Sequence, residues 1–498
     1  MSDSNDQIQR QRTNAGLVRS LGLFSTVMFV VGSVIGSGVF AKPGLMASQV
    51  GSPLWLLTVW VVAGVVTLIG ALVNSEIAAM IPEAGGQYVF FDRMYGSFPA
   101  YLYGWAAFAV LKTGALASLA FIFAQAASQF VTLPEFAPNI AAWSMHLPFI
   151  GDITPLANIG GKGLAASLIL VLTAVNYLGV KFGSLVQNIF TIAKITALLL
   201  LISVAFFSPG VGQASNLTSP SATIHLQGLA LIAALAAAVQ GAFWAYDGWN
   251  DVTYLAGEIK EPQRNLPRGL IAGMLIVMTL YILCNLAYLY VLPIDKMATS
   301  KLVAVDVVEK CFQGGGKWIA LAVMISTFGA ANSNVFAPAR VFLSMARHNV
   351  FPHFLGSVHP KFHTPTAALW VQGIWSILLV FSGTFDTITD TLVFVNWIFY
   401  AAAAYGVFVL RRKEPLTPRP YKVPGYPVLP WLLILFALTF LVLTIYNDTS
   451  HYYAAKAAGK SAIINSAFGA FLVLIGTPIY FLCKARSSKP STVTVQPG

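Results

Sequence analysis

The chain has 498 residues, 57% of them hydrophobic and only 9% charged, with a formal net charge of +11 and a mean hydropathy of +0.73. A water-facing globular surface takes roughly 25% charged residues, so this composition excludes a soluble domain. The basic residues form no stripe interleaved with aromatics, which also excludes nucleic-acid binding as the reason for the charge.

Apolar stretches of about 20 residues, enough to cross a bilayer core, recur along the whole chain. Twelve spans are predicted, at 21–49, 54–80, 98–130, 164–178, 185–207, 226–256, 267–292, 317–346, 365–383, 388–411, 428–447 and 462–483. The expected layout is an N-terminal tail over 1–20, a ten-span core over 21–411, an inner loop with the last two spans over 412–483, and a tail over 484–498. The polar stretch Met1–Ser20 lacks a small-residue cleavage site, so span 1 is expected to be a retained helix rather than a signal peptide.

With both termini inside, nineteen Lys and Arg residues, among them Arg93, Lys260, Arg264, Arg340 and Arg411, fall in inner segments, against eight in outer ones. That asymmetry matches the positive-inside rule and leads us to expect a multi-pass plasma (cell inner) membrane protein with cytoplasmic termini. The three cysteines, Cys284, Cys311 and Cys483, do not make a paired outer framework, so no disulfide is expected.

Span 1 reads Val30-Val31-Gly32-Ser33-Val34-Ile35-Gly36-Ser37-Gly38-Val39-Phe40. Gly32 and Gly36 alone would read as close helix packing. Ser37 and Gly38 add a second reading, in which the helix unwinds at mid-membrane and the following half-helix begins with free N–H groups that receive a carboxylate. Lys112, near the middle of span 3, cannot easily reach the surface and needs a partner or a wet cavity. Lys194, near the inner end of span 5, is either a snorkelling lysine or a functional group.

Span 6 carries the second interruption, Phe243-Trp244-Ala245-Tyr246-Asp247-Gly248-Trp249-Asn250-Asp251. Asp247 is expected either to cap the half-helix after it or to read the substrate side chain. Two broken spans, each first in a five-span half, point to an inverted-repeat transporter. Carbonyls near Val34, Ile35, Phe243 and Trp244 would take an ammonium, and amides at Gly36, Ser37 and Gly38 a carboxylate, which together describe a receptor for an α-amino acid.

Other machines are excluded in turn. The seven histidines fall in loops or at helix edges, four of them (His348, His353, His359, His363) in one loop without a ligand spacing, so no metal or other cofactor is expected. Gly459-Lys460-Ser461 ends like a phosphate loop, but Ala454 stands where its first glycine belongs. No nucleophile elbow or HExxH motif occurs, and no repeated filter or ring of charge suggests a channel. An enzyme is not expected.

Seven strings run over nearly the whole length: GSVIGSGVF in span 1, IPEAGGQYVFF after span 2, NYLGVKFGSLVQNIFTIAK across spans 4 and 5, FWAYDGWNDVTYLAGEIKEPQRNLPR through span 6, STFGAANSNVFAPAR in span 8, FVNW in span 10 and RPYKVPGYPVLP before span 11. With these, the chain resembles a permease of the amino acid–polyamine–organocation (APC) superfamily, and within it the L-type amino acid transporter (LAT) branch. The resemblance implies an all-α membrane protein with a LeuT-like five-plus-five inverted repeat, discontinuous spans 1 and 6, and two extra helices. It implies that Trp244 closes over the substrate and that Asn396 of span 10 approaches the site. It also places the Lys194 ammonium where sodium-coupled relatives bind a cation, touching span 1 carbonyls and span 8 hydroxyls such as Ser326. Lys112 matches a basic position in span 3, with Thr113 where a proline usually follows.

Two departures stand out. The loop from Val131 to Gly163 has no cysteine, so the disulfide-linked heavy subunit of animal members is not expected. Asp247 occupies a position often small and neutral in large-neutral carriers, and it resembles the branch accepting cationic amino acids and bacterial carriers for small neutral ones. The expected function is sodium-independent exchange of mainly neutral amino acids by alternating access. The alternatives are a proton-coupled symporter, with cationic substrates open to it, and a non-transporting amino-acid sensor. Membrane lipid and the amino acid itself are the only expected partners.

Overall fold

The computed structural model describes residues 17–147, 151–300, 302–382, 385–458 and 463–487. Most of both predicted tails, and Gly459-Lys460-Ser461, lie outside them.

Among the described residues, eleven helices are long and apolar enough to cross a membrane. The segment predicted at 365–383 forms a shorter apolar helix, Thr366–Ser382, of 17 residues. Span 1 is two helices, α1 (Leu23–Val34) and α2 (Gly38–Val50). Span 2 is α3 (Pro53–Met80), begun by a proline at its first position, where the missing N–H costs nothing. A short helix, α4 (Gln87–Tyr95), leads into span 3, which consists of α5 (Ser97–Ala106), a wide π-helical turn over Ala107–Leu111, and α6 (Lys112–Ala127). Spans 4 and 5 are α7 (Ile159–Tyr177) and α8 (Val180–Phe207). Span 6 is α9 (Gly228–Tyr246) followed by a 3₁₀ segment, Asp251–Glu258. Then come α10 (Pro262–Val291), α11 (Gly315–Phe336), α12 (Ala339–Arg347), α13 (Thr366–Ser382), α14 (Phe385–Lys413), α15 (Val428–Ala457), α16 (Asn465–Leu474) and α17 (Thr477–Ser487).

One departure from an all-helical chain lies between spans 3 and 4. Two three-residue strands, β1 (Met145–Leu147) and β2 (Gly151–Ile153), pair antiparallel with Met145 opposite Ile153. Short alternation of this kind is invisible beside the helical periodicity around it.

Helix α10 packs along α1 and α3, α9 along α2, and α11 along α6 and α8. At the centre of this packing Trp60, Tyr246 and Tyr281 form an aromatic cluster, with Trp60 and Tyr281 edge to face at 5.5 Å. Phe207 and Leu229 are more than 80% exposed, as side chains that meet lipid tails can be. Polar ties gather at one end of the bundle. Arg340 grips Glu258 with two hydrogen bonds of 2.9 and 3.2 Å, and both side chains are fully buried. Arg411 holds Glu76 by two bonds of 2.8 and 2.7 Å, and Arg93 holds Glu414 likewise at 2.7 and 2.8 Å. The segment before α1 joins this end, since the Ser20 and Leu21 amides donate to the Glu258 carbonyl at 2.9 Å and Lys260 donates back to Leu21 at 2.8 Å.

Candidate functional site

The last helical residue of α1 is Val34, and Ile35 has extended backbone (φ −71°, ψ 94°). Helical geometry resumes at Gly38. Such a gap frees carbonyls that must find donors in a dry interior, and side chains from three other spans supply them. The Tyr281 hydroxyl reaches the Val34 carbonyl at 3.0 Å. The Ile35 carbonyl accepts from the Lys194 ammonium at 2.6 Å and from the Ser326 hydroxyl at 3.2 Å, and the Gly36 carbonyl accepts from that hydroxyl at 2.9 Å. The N–H groups of Gly36, Ser37 and Gly38 donate to no group among the described residues.

The second gap follows Tyr246. Asp247 is extended (φ −69°, ψ 158°), and Gly248 has φ +96°, a conformation costly for any residue with a side chain. Glycines let the two gaps touch. A Cβ on Gly38 would lie 2.5 Å from the Ala245 Cα, and one on Gly248 would lie 3.0 Å from the Ser33 carbonyl oxygen. Tyr281 spans both gaps, since its hydroxyl is also 3.0 Å from the Ala245 carbonyl.

Lys194 is fully buried. Its ammonium donates to the carbonyls of Gly32 (2.9 Å), Ile35 (2.6 Å) and Ser326 (2.9 Å). Three carbonyl dipoles converge on one charge, as around a bound cation. Contrary to the expected contact with the Ser326 hydroxyl, Lys194 meets the Ser326 carbonyl, while the hydroxyl bonds to span 1. The Ile35 carbonyl, one of the proposed ammonium acceptors, has both lone pairs engaged by these two residues.

The Lys112 ammonium lies 2.6 Å from Asp251 Oδ1 and 4.0 Å from Asp247 Oδ2. It is aimed there by the wide turn before it, in which the Thr113 hydroxyl donates to the Phe108 carbonyl five residues back, at 2.6 Å. A buried lysine without a counter-charge would be very costly, and Asp251 supplies one. The capping reading of Asp247 is not what the geometry gives. Asn250 stands at the start of the 3₁₀ segment, where no side chain caps. The Asp247 carboxylate turns instead to span 10, where Oδ1 accepts from Asn396 Nδ2 and the Tyr400 hydroxyl, each at 2.9 Å. The hydroxyls of Tyr103 and Tyr254 pair beside Asp251.

Of the residues singled out in the sequence, Phe243, Asp247 and Asn396 line one cavity, shared with Thr67, Trp249 and Trp397. Val34, Ile35, Gly36, Ser37, Gly38 and Trp244 do not line it; the first five form the span 1 gap, which packs directly on span 6. Phe243 faces the aromatics of spans 10 and 11, with its ring 4.1 Å from that of Trp397. Lys194 and Ser326 sit together behind the span 1 gap, and Lys112 sits on the span 3 side of Asp247. The sequence reading missed Asp251, Tyr281 and Tyr400. Asp251 had a signal, a second acidic residue at membrane depth with an unpaired lysine to match, whereas a tyrosine in an apolar span carries none. Among the described residues, no cluster of His, Cys, Asp or Glu could hold a metal ion.

Comparison with known proteins shows the family. The amino acid permease family model matches residues 21–473. The chain is 30% identical over 477 residues to the serine/threonine exchanger SteT of Bacillus subtilis (strain 168), covering 95% of this chain and 98% of that protein. It is 32% identical over 437 residues to the b(0,+)-type amino acid transporter 1 of Homo sapiens, covering 88% and 84%. It is also 30% identical over 492 residues to the large neutral amino acids transporter small subunit 2 of Mus musculus, covering 98% and 86%. The chain belongs to the amino acid permease family, as a membrane-embedded amino-acid transporter and not an enzyme.

Proposed function

We propose that this permease is a sodium-independent exchanger of mainly neutral amino acids, working by alternating access. The observation that carries the reading is Lys194, whose ammonium occupies a nest of three carbonyls joining span 1 to span 8. A fixed positive charge there repels sodium while tying the two spans as a bound ion would. The gaps in spans 1 and 6, each first in a half of five, support a LeuT-like inverted repeat over 21–411, with 412–483 as added spans. The free amides of Gly36, Ser37 and Gly38 suit the substrate carboxylate. Remaining carbonyls at the two gaps, of Val34, Phe243 and Trp244, suit its ammonium, with Trp244 as the closing aromatic. Exchange and neutral substrates draw support from relatives named a serine/threonine exchanger and a large neutral amino acids transporter. The Lys and Arg distribution supports cytoplasmic termini in a plasma membrane, and the cysteine-free loop over 131–163 supports action without a disulfide-linked heavy subunit.

One observation favours a proton-coupled symporter as the second reading: among the described residues the Lys194 ammonium is met by carbonyls and no carboxylate, so it is the group that would release a proton. The test is uptake of labelled amino acid into proteoliposomes. We expect uptake unchanged when choline replaces sodium, and appearing only when the vesicles are preloaded with amino acid. Uptake into empty vesicles driven by an inward proton gradient would overturn exchange in favour of the symporter. Sodium-driven uptake would overturn both. Lys194→Ala lowers turnover on either reading.

A further inference from the structure

The Lys112 ammonium stands between two carboxylates, but unequally. It is 2.6 Å from Asp251 and 4.0 Å from Asp247, so it forms a contact ion pair with the first and none with the second. Asp251 and Lys112 are buried, while the Asp247 side chain keeps 13% exposure and faces the cavity. The cluster holds one ammonium and two carboxylates, a net charge of −1. The uncompensated charge rests on Asp247, whose Oδ1 has two neutral donors and whose Oδ2 has no hydrogen bond among the described residues. Asp247 also lies between Ala245 and Gly248, the residues that touch the span 1 gap.

We propose that Asp251 is a specificity-determining positioning residue: by holding the Lys112 ammonium to itself it keeps Asp247 Oδ2 open to a hydrogen-bond donor on the substrate side chain. The inference rests on the reading that amino acids bind at the two gaps. It deepens that reading by naming the substrate class, amino acids whose side chains carry a hydroxyl or a cationic donor, preferred over apolar isosteres. Without the Asp251 charge, Asp247 becomes the one remaining anion for Lys112. Moving the ammonium from 4.0 Å into hydrogen-bond contact takes a shift of about 1 Å. Oδ2 would then be filled, and a substrate hydroxyl would have to displace an ion pair to reach it. A site built to hydrogen-bond a side chain discriminates strongly against the analogue lacking the donor, so isosteric pairs are the natural probes.

The experiment uses the full-length carrier in proteoliposomes, with labelled alanine exchange inhibited by threonine against valine and by lysine against norleucine. In the wild type we expect threonine to inhibit at least ~10-fold more strongly than valine, a conservative demand for a lost buried hydrogen bond. Asp251→Asn should bring that ratio near unity, costing threonine at least ~10-fold more than alanine, and Asp251→Glu should keep the preference. The decisive variant is Lys112→Met with Asp251→Asn together, which removes the ammonium and its counter-ion and should restore the preference by leaving Oδ2 open. A merely structural ion pair would not give loss with one substitution and recovery with two. If the wild type does not discriminate, or Asp247→Asn leaves discrimination intact, Asp247 does not read the side chain and the proposal falls with that assignment. If Asp247→Asn abolishes discrimination while Asp251→Asn keeps it, or Asp251→Asn weakens every amino acid alike, Asp251 has no role in selection. Should Asp251→Asn fail to fold, the double variant carries the test, and its failure to discriminate would overturn the proposal.

Discussion

Replacing Gly38 by alanine sets two effects of opposite sign against each other. Gly38 opens α2, and alanine is the better helix former by about 1 kcal/mol, so propensity alone makes Gly38→Ala stabilising. The contact with span 6 argues the reverse. The new methyl would sit 2.5 Å from both the Cα and Cβ of Ala245 and 3.1 Å from its backbone nitrogen, where carbon atoms normally rest about 3.5–4.0 Å apart. The obstacle is backbone, which cannot rotate away, so the two gaps must separate by about 1 Å. Overpacking of this kind costs about 1–3 kcal/mol and should outweigh the gain in propensity. Gly36→Ala is the matched control, because its methyl would meet the tip of Leu119 at 3.2 Å and the Ala330 methyl at 3.5 Å, and a leucine tip can yield. Melting of the purified protein with and without amino acid, together with exchange in proteoliposomes, checks both. Gly38→Ala should melt lower and lose roughly 5–150-fold in exchange if 1–3 kcal/mol falls on the closed, loaded state. Gly36→Ala should stay near wild type in both. A Gly38→Ala carrier that melts at or above wild type and exchanges normally would refute the claim that the two gaps work in contact.

Tyr281→Phe removes the hydroxyl that faces the Val34 and Ala245 carbonyls; it should cost about 1–3 kcal/mol for the buried acceptors left without a donor, read as a lower melting temperature with slower exchange, and an unchanged protein would show that the bridge is idle. The hydrogen bonds from Arg93 hold the Glu414 carboxyl below its ordinary range, so the pair stabilises the fold above the unfolded carboxyl pKa of about 4.3 and ceases to do so as pH falls through the lower folded value. With both side chains partly exposed the effect is about 0.2–1 kcal/mol; Glu414→Gln should melt slightly below wild type at neutral pH, and the difference should shrink as pH falls below the ordinary carboxyl range.

The spans were legible because a bilayer demands about 20 apolar residues whatever their order. The extended backbone at Ile35 and Asp247 falls beside Gly-Ser-Gly and Asp-Gly, which are poor company for a continuous helix in a medium without water. The partners were not. Lys112 and Asp251 come from spans 3 and 6, and only tertiary packing decides that Lys112 takes Asp251 rather than Asp247. The capping reading of Asp247 followed from local propensity, yet Asn396 and Tyr400 of span 10 outcompete the backbone for its carboxylate. Lys194 stood out through its cost, and the resemblance supplied its span 1 carbonyls; the span 8 acceptor is a main-chain atom, the Ser326 carbonyl, which no residue type announces.

The wide turn over Ala107–Leu111 bears on how this chain tolerates change. Each residue of a regular helix advances the side chains by about 100°, so the extra residue in that turn acts as a phase offset between the two ends of span 3. Tyr103 and Lys112 flank it, and both face the Asp251 cluster. Deleting a single residue anywhere within the turn would leave span 3 long and apolar enough to insert, yet would rotate Lys112 and everything after it by about a quarter of a circle. The lysine would leave Asp251, and the α6 face that packs on α11 would turn aside with it. The segment is thus intolerant of any change in the number of its residues.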